Sequence, residues 1–256
     1  MSELVQPELV HSERRGNVLV ISIQREAKRN AVDRAVADGL DDALNRLDDD
    51  HELWVGILTG TTEVFSAGSD LKAGGDYNTP RGGEYGLIRR ERRKPLIAAV
   101  EGMALGGGFE MVLTCDLVVA SRSARFGLPE VAIGALPSSS GLFRGPQVLP
   151  LNLARQMILT GTPIDAQRGY EAGFVNAVTD AGGALAGALE LAEQICRNAP
   201  LSVQACLGVV NGLQRRLDDD GWAATTTAGR SLSGTDDMDE GIKAFLEKRP
   251  PHWTGR

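Results

Sequence analysis

Two short segments of the chain combine residue types that could do chemistry, and each directly follows an apolar run typical of a β-strand. Residues 65–72 are Phe-Ser-Ala-Gly-Ser-Asp-Leu-Lys, and residues 101–110 are Glu-Gly-Met-Ala-Leu-Gly-Gly-Gly-Phe-Glu. Three consecutive glycines let the backbone approach a ligand closely, because no Cβ is in the way. If a helix begins there, its first N–H groups lack partners within the helix and can form an oxyanion hole. The same glycines would also suit a tight strand-to-helix turn.

Two glutamates accompany these segments. Glu110 lies three residues after Gly107, so on a helix it lies one turn further along and on roughly the same face. Glu130 ends the segment Phe-Gly-Leu-Pro-Glu, which follows another strand-like run. Two carboxylates that converge on one apolar pocket raise a pKa by mutual repulsion, which suits general acid/base catalysis. Either glutamate could instead be a surface charge, since spacing alone does not establish convergence.

Other common chemistries have no support in the sequence. It contains no phosphate-binding P-loop, no dinucleotide fingerprint, no nucleophile elbow and no zinc-protease motif. The cysteines lack the spacing of a disulfide framework or a zinc site. The histidines lie in stretches predicted to be exposed, and they are His11, His51 and His252. We therefore predict no metal site and no Ser-His-Asp triad.

Length and charge exclude further classes of protein. The chain has 256 residues and a net charge of −7, so an extended nucleic acid is not expected as its main partner. A small anionic ligand can still be captured by local basic groups and backbone N–H donors. The longest apolar run, residues 96–100, is far shorter than the roughly 20 residues of a membrane span. Residues 1–5 do not resemble a secretory leader, and we expect a soluble, cytoplasmic protein.

The elements that must position these residues alternate in the first half of the chain. Apolar runs predict four strands, at residues 18–23, 54–59, 96–100 and 117–120. Asp33 suits a helix N-cap, because apolar residues recur after it at helical spacing as far as Leu47. Short apolar strands that alternate with helices indicate an α/β fold whose strands are buried on both faces.

The second half is mainly helical by its pattern. Only residues 174–178 resemble a strand there, and helices are predicted at 153–159, 185–197, 202–217 and 239–248. The acidic runs at 48–50 and 218–220 are expected to be solvated helix ends, since neither has the ligand spacing of a calcium loop. We predict an α/β core over residues 1–197 and a C-terminal helical region over 198–256.

The motifs together resemble the crotonase superfamily of enoyl-CoA hydratases and isomerases, from about residue 10 to the C-terminus. The segments that carry the resemblance are 65–71, 94–102, 104–110, 115–116, 126–130 and 245–249. The resemblance implies a spiral of repeated ββα units with a C-terminal helical region that mediates trimer contacts. It also implies a homotrimer, or a homohexamer built as a dimer of trimers.

The same resemblance implies roles for four residues. The backbone N–H groups of Ser69 and Gly107 would form the oxyanion hole for a thioester carbonyl. Glu110 and Glu130 match the two catalytic glutamates of the hydratases, which hold one water between them. Glu110 would deprotonate this water for attack at Cβ, and Glu130 would supply the proton that reaches Cα.

Further residues are implied as substrate contacts. Residues expected to bind coenzyme A or the substrate are Lys28, Ala67, Asp70, Leu71, Lys72 and Lys248. Ser138, Ser139 and Ser140 replace a glycine-rich turn found in many hydratases, and this loop would lie beside the acyl pocket. Three hydroxyls there favour a polar acyl group. No cofactor is implied, because coenzyme A is part of the substrate.

The leading prediction is an enoyl-CoA hydratase or dehydratase that adds water reversibly, in the syn sense, across an α,β-unsaturated acyl-CoA. An isomerase or another crotonase-type lyase is the alternative, although both glutamates together favour water addition. The 109–110 pair and the ending at 253–256 resemble the carnitinyl-CoA dehydratase branch. A non-catalytic acyl-CoA binder is a different class, against which the glutamate pair argues.

Overall fold

The computed structural model describes residues 9–74 and 77–256. Residues 1–5, which bear on the predicted absence of a leader, lie outside them. The strands among the described residues are β1 (Val10–Arg15), β2 (Val18–Ile23), β3 (Val55–Thr59), β4 (Val64–Ser66), β5 (Asn78–Thr79), β6 (Gly83–Glu84), β7 (Leu96–Val100), β8 (Met103–Leu105), β9 (Leu117–Ser121), β10 (Arg125–Gly127), β11 (Ile164–Asp165) and β12 (Ala177–Thr179). The helices are α1 (Arg34–Asp49), α2 (Gly107–Thr114), α3 (Gly141–Val148), α4 (Leu151–Thr160), α5 (Ala166–Glu171), α6 (Ala184–Cys196), α7 (Pro200–Leu232) and α8 (Asp236–Glu247). Two 3-10 helices span Glu26–Lys28 and Pro129–Ile133.

The larger sheet has the strand order β1-β2-β3-β7-β9-β12. Only the β1–β2 pair is antiparallel, and the others are parallel. Side chains alternate between two buried faces: Ile57 and Ile97 pack towards α6, whereas Leu58 and Ala98 belong to the main core on the other side. Burial on both faces explains why these strands are almost continuously apolar.

A second sheet has the order β11-β10-β8-β4. Its strands β4, β8 and β10 are parallel, so their carboxyl ends meet at one edge. The loop that contains Ser69 follows β4, helix α2 follows β8, and the 3-10 helix Pro129–Ile133 follows β10. Functional sites of parallel sheets are found at such carboxyl ends. The topology therefore collects the three segments singled out in the sequence.

The α/β fold predicted from the sequence is confirmed, and most elements lie where they were expected. Helix α1 begins after Asp33, whose side chain accepts a hydrogen bond from the Val36 N–H at 3.0 Å. The strand predicted at 174–178 is misplaced, because β12 starts only at Ala177. Phe174 instead packs edge-on against Phe109 and Phe126 in the core.

The C-terminal helices pack against several parts of the rest of the chain. Helix α7 is much longer than the predicted 202–217, and it packs against α3. Helix α8 packs against the 3-10 helix Pro129–Ile133, which carries Glu130. The division at residue 198 stays a prediction. None of the helices in the described part of the chain has an apolar stretch long enough to span a membrane.

Candidate active site

The loop after β4 and the start of α2 touch backbone to backbone. Gly68 has φ +86°, a conformation that side chains of L-residues rarely adopt. A Cβ on Gly68 would lie only 2.7 Å from the Gly107 nitrogen and 3.0 Å from the Leu105 oxygen. Glycine is thus required here both by the backbone conformation and by the close approach. The contact brings Ser69 and Gly107 next to each other.

The neighbouring hydrogen bonds set the direction of the two backbone N–H groups. The Val32 N–H donates to the Gly68 carbonyl at 2.7 Å, and the Asp70 N–H donates to the Val32 carbonyl at 2.8 Å. In extended backbone successive N–H groups point to opposite sides, so the Ser69 N–H points away from Val32. Gly107 is the first residue of α2, where the N–H lacks an acceptor within the helix. Two N–H donors are therefore available at this junction.

Asn30 stabilises the loop after β4 through hydrogen bonds, and this role was not predicted from the sequence. This fully buried side chain donates to the carbonyls of Val64 and Phe65, at 2.9 and 3.1 Å. In return, Ser66 Oγ donates to the Asn30 carbonyl at 2.8 Å. An asparagine next to basic residues gave no signal for this role, because its partners in the loop, Val64, Phe65 and Ser66, are more than 30 residues away in sequence.

Asp70 is held by Arg25. Their side chains form an ion pair at 2.8 Å, and Arg25 also pairs with Asp33 at 2.8 Å. The hydrogen bond from Arg25 lowers the pKa of Asp70 below its ordinary value. The Asp70 carboxylate also accepts the Lys72 N–H at 3.1 Å. Asp70 is thus held both by Arg25, from a segment distant in sequence, and by the backbone of its own loop.

Glu110 lies on α2 with its carboxyl group buried, and only 2% of the residue is exposed. Its Oε1 accepts two backbone N–H groups at 2.8 Å each, from Ser139 and Gly141. Burial and the charge of Glu130 together raise the pKa of Glu110 to about 8, against the opposing effect of the two N–H donors. The serine loop thus orients this carboxyl group through its backbone.

Glu130 follows Pro129 at the start of the 3-10 helix and faces the glycine turn. A Cβ on Gly106 would lie 3.1 Å from Glu130 Oε1. The other oxygen, Oε2, is buried and accepts no hydrogen bond from the described residues. Burial raises the pKa of Glu130 to about 7. The structure therefore brings both predicted glutamates to the glycine turn, and near neutral pH the pair can hold one proton.

Tyr85 is a further residue of the site that the sequence did not indicate. Its hydroxyl lies 2.7 Å from Ser69 Oγ, and its side chain is 5% exposed. A Cβ on Gly107 would lie 2.7 Å from the Tyr85 ring carbon Cζ. Burial and the charge of Glu110 raise the pKa of this phenol, so it stays neutral. Its only sequence signal is the glycine-rich segment around it.

The remaining predicted residues divide into those near this junction and those apart from it. Ser139 and Ser140 are buried, whereas Ser138 is exposed. Lys28 is exposed on the 3-10 helix next to Arg29, whose carbonyl accepts the Ala67 N–H at 3.0 Å. Leu71 and Lys72 are exposed on the same loop as Asp70, and Lys248 is exposed at the end of α8. The described residues include no cluster of three or more His, Cys, Asp or Glu side chains that could hold a metal ion.

Comparison with known proteins identifies the family. The family model described as enoyl-CoA hydratase/isomerase matches residues 13–256. The chain belongs to the enoyl-CoA hydratase/isomerase family. A carnitinyl-CoA dehydratase of Salmonella typhi is 36% identical over 260 residues, which cover 97% of this chain and 99% of the relative. This confirms the crotonase superfamily predicted from the sequence, and with it an enzyme of the hydratase type.

Solved structures of this family agree with the fold. A carnitinyl-CoA hydratase from Mycobacterium avium is 40% identical with a TM-score of 0.93, and the match covers 98% of this chain and all of that one. A carnitinyl-CoA dehydratase from Mycobacterium avium 104 is 44% identical with a TM-score of 0.91, over 97% and 99% of the two chains. An enoyl-CoA hydratase from Mycobacterium tuberculosis H37Rv is 40% identical with a TM-score of 0.77, over 97% and 100%.

Proposed function

We propose that this protein is a hydro-lyase that adds water reversibly across the α,β double bond of an acyl-CoA thioester, with Glu110 and Glu130 as its acid/base pair. The observation that carries the proposal is the convergence of these two carboxyl groups on the glycine turn. Their pKa values of about 8 and about 7 lie near the pH at which the enzyme must work. A general acid or base is most effective in that range.

The oxyanion hole consists of the Ser69 and Gly107 N–H groups. When a nucleophile attacks Cβ, negative charge moves to the thioester oxygen and forms an enolate. The two N–H groups donate to this oxygen, and they are already fixed by the contact between Gly68 and Gly107. Loss of one such donor typically costs about 3–4 kcal/mol of transition-state stabilisation.

In each turnover one of the two carboxyl groups gains a proton and the other loses one. Hydration starts from the state in which the proton shared by the pair is on Glu130. Ionised Glu110 then takes a proton from water as the water oxygen bonds to Cβ, and Glu130 delivers its proton to Cα. In dehydration Glu130 removes the Cα proton, and Glu110 protonates the departing hydroxyl group. Because both carboxyl groups act from one side of the acyl chain, addition is syn. The reaction needs no cofactor beyond the coenzyme A of the substrate.

Exposed cations near the loop bind the coenzyme A portion. Lys28 and Lys72 are exposed on the segments that flank Ala67, where their charges can pair with the phosphates. Leu71 is also exposed and covers the apolar part of the pantetheine arm, whereas Asp70 acts through Arg25 by holding the loop. Lys248 adds a further cation from α8. Because coenzyme A thioesters are intracellular, the enzyme works in the cytoplasm.

A homotrimer, or a hexamer of two trimers, covers the apolar surface of α7. Val209, Leu213 and Leu217 recur at four-residue spacing and are 67%, 61% and 57% exposed. Such a stripe is expected to be buried in an assembly. Leu213→Glu is therefore expected to shift the mass measured by light scattering from a trimer or hexamer to a monomer, and an unchanged mass would exclude this interface.

The test of the function compares hydration of crotonyl-CoA with dehydration of L-carnitinyl-CoA. The second substrate is included because relatives named for it share 36–44% identity with this chain. Glu110→Gln and Glu130→Gln are each expected to lower kcat by about 10²–10⁴-fold on whichever substrate the wild type uses. The matched control is Glu63→Gln, since Glu63 is an exposed glutamate. A shifted double bond without water uptake would contradict the hydro-lyase and favour an isomerase.

A further inference from the structure

Two of the three tyrosines of the chain, Tyr77 and Tyr85, form hydrogen bonds with the loop after β4, and we call them the tyrosine pair. The Tyr85 hydroxyl oxygen lies 2.7 Å from Ser69 Oγ, and the two hydroxyl groups share one hydrogen bond. The Tyr77 hydroxyl donates to the Asp70 carbonyl at 2.9 Å. The two rings stack, with centroids 6.4 Å apart and planes at 30°. The tyrosine pair therefore holds two successive residues of the loop.

Tyr85 also contacts the first residue of α2. Its side chain fills the space beside the Gly107 Cα, so that a Cβ on Gly107 would meet the phenol oxygen first and the ring carbons Cζ and Cε2 at 2.7 and 2.8 Å. One side chain thus touches both of the residues whose backbone N–H groups form the oxyanion hole. It belongs to a third segment of the chain, because Tyr85 follows β6, whereas Ser69 follows β4 and Gly107 begins α2.

The backbone around Tyr85 holds the phenol in one place. Tyr85 has φ +57°, a left-handed conformation that is rare for a bulky L-residue, and only 5% of the residue is exposed. The Gly86 N–H donates to the Gly83 carbonyl at 3.1 Å. Gly86 also packs on α1, where a Cβ on it would lie 2.8 Å from the Asp41 nitrogen. A strained residue that its surroundings hold in this way commonly marks a functional position.

We propose that Tyr85 is a positioning residue of the oxyanion hole, which holds Ser69 through its hydroxyl group and Gly107 through its ring. This inference rests on the proposed function for the identity of the two N–H donors. Such donors stabilise an enolate best when they are already fixed before charge develops. Gly68 restrains the nitrogen of Gly107, and Tyr85 restrains the Cα of the same residue. The phenol therefore sets the separation of the donors together with Gly68.

The first test measures how strongly the hole polarises a thioester that cannot be hydrated. Difference infrared spectroscopy of bound butyryl-CoA, labelled with ¹³C at the thioester carbon, records the carbonyl stretching frequency, which falls when N–H groups donate to the oxygen. The wild type is expected to lower this frequency relative to the free thioester. Tyr85→Phe keeps the ring and removes the hydroxyl group, and it should lose about half of the shift. Tyr170→Phe is the matched control and should keep the shift, because Tyr170 is 51% exposed on α5.

The second test asks whether Tyr85 acts through Ser69. Ser69→Ala removes the partner hydroxyl group and keeps the Ser69 N–H, so it also covers the case in which Tyr85→Phe does not fold. Ser69→Ala, Tyr85→Phe and the double variant are each expected to lower kcat by about tenfold on the substrate that the wild type uses, because all three break the same hydrogen bond.

Three results would overturn the proposal. In the first, both single variants keep the carbonyl shift of the wild type, and any loss of stability then reflects packing alone. In the second, the double variant loses the product of the two single losses, so that Tyr85 acts apart from Ser69. In the third, the wild type leaves the carbonyl frequency unchanged, which removes the oxyanion hole as well. Failure of the proposed function alone looks different: the wild type would turn over neither crotonyl-CoA nor L-carnitinyl-CoA, while the carbonyl shift still depended on Tyr85.

Discussion

Gly68 lies so close to Gly107 that a Cβ on the first residue would come within 2.7 Å of the nitrogen of the second. This contact joins the loop after β4 to the start of α2, and it fixes the separation of the Ser69 and Gly107 N–H groups. Electrostatic stabilisation of an enolate depends on donors that are already in position before the reaction. The contact is therefore where we expect activity to be most sensitive to one added methyl group.

Gly68→Ala is predicted to lower kcat/KM for crotonyl-CoA by about 100-fold or more, because the new Cβ would push the two donors apart. Gly16→Ala is the matched control. Gly16 also has positive φ, +60°, but no atom lies within 4 Å of the Cβ position. It should cost roughly 1 kcal/mol of stability and leave kcat/KM unchanged. Equal losses of activity in the two variants would show that backbone strain, not the collision, is responsible.

The glutamate pair predicts a bell-shaped dependence of kcat/KM on pH. Below about pH 7 both carboxyl groups become protonated and no base remains, whereas above about pH 8 both become ionised and no acid remains. These pKa values belong to the coupled pair. Initial rates from pH 5 to 9.5 should therefore peak between 7 and 8. A flat profile between pH 6 and 9 would contradict the two-carboxyl mechanism.

The same pKa shift predicts how stability changes with pH. The pKa of Glu110 is raised from 4.5 to about 8 on folding, so the folded protein binds more protons between these values. The free energy of unfolding must then fall as pH rises through this window. Glu110→Gln removes this dependence on pH. At pH 9 the variant should have a free energy of unfolding about 2 kcal/mol or more above that of the wild type, and at pH 5 this advantage should be smaller.

Urea unfolding of wild type, Glu110→Gln and Glu63→Gln at pH 5 and 9 measures this difference. Glu63 is exposed, so its variant should follow the wild type at both pH values. If the Glu110→Gln variant were less stable than the wild type at pH 9, the ionised carboxyl group would be stabilising the fold. That result would contradict a pKa of Glu110 raised by folding.

The sequence predicts the elements whose signals are local. The runs at 18–23 and 96–100 coincide with β2 and β7, because burial on both faces makes these strands almost entirely apolar. Strand β1 is not predicted by such a pattern, because its sequence Val-His-Ser-Glu-Arg-Arg is mostly polar. The strand lies at the edge of the sheet. Short strands such as β8 are defined by their partners more than by their own residues.

The candidate site divides in the same way. Glu110, Glu130 and the glycine turn lie in contiguous motifs, so the sequence alone predicts them as site residues. Tyr85 and Asn30 reach the site only through tertiary contacts. The prediction that the acidic run at 218–220 is a solvated helix end is wrong for the same reason. The run lies inside α7, and Asp218 is only 4% exposed. Its partner is 74 residues away in sequence.

Asp218 pairs with Arg144 of α3 at 2.7 Å, and both side chains are largely buried. Arg144 also donates to Thr114 Oγ1 at 2.6 Å, and Thr114 donates to the Glu110 carbonyl at 2.9 Å. The guanidinium group therefore links α7 to α2, the helix that carries Glu110. Breaking a buried pair by removing one partner leaves the other charge uncompensated, which typically costs 3–5 kcal/mol.

Arg144→Met is accordingly predicted to lower the free energy of unfolding by about 3–5 kcal/mol. Adding Asp218→Leu should restore much of this loss, because the stranded carboxylate is then gone. The control pair is Arg122 and Asp180, whose side chains are 77% and 92% exposed, and Arg122→Met should change stability by less than about 1 kcal/mol. Denaturant unfolding at one protein concentration gives all three values. A loss below about 1 kcal/mol for Arg144→Met would mean that water reaches Asp218 and that α7 is held by its apolar contacts instead.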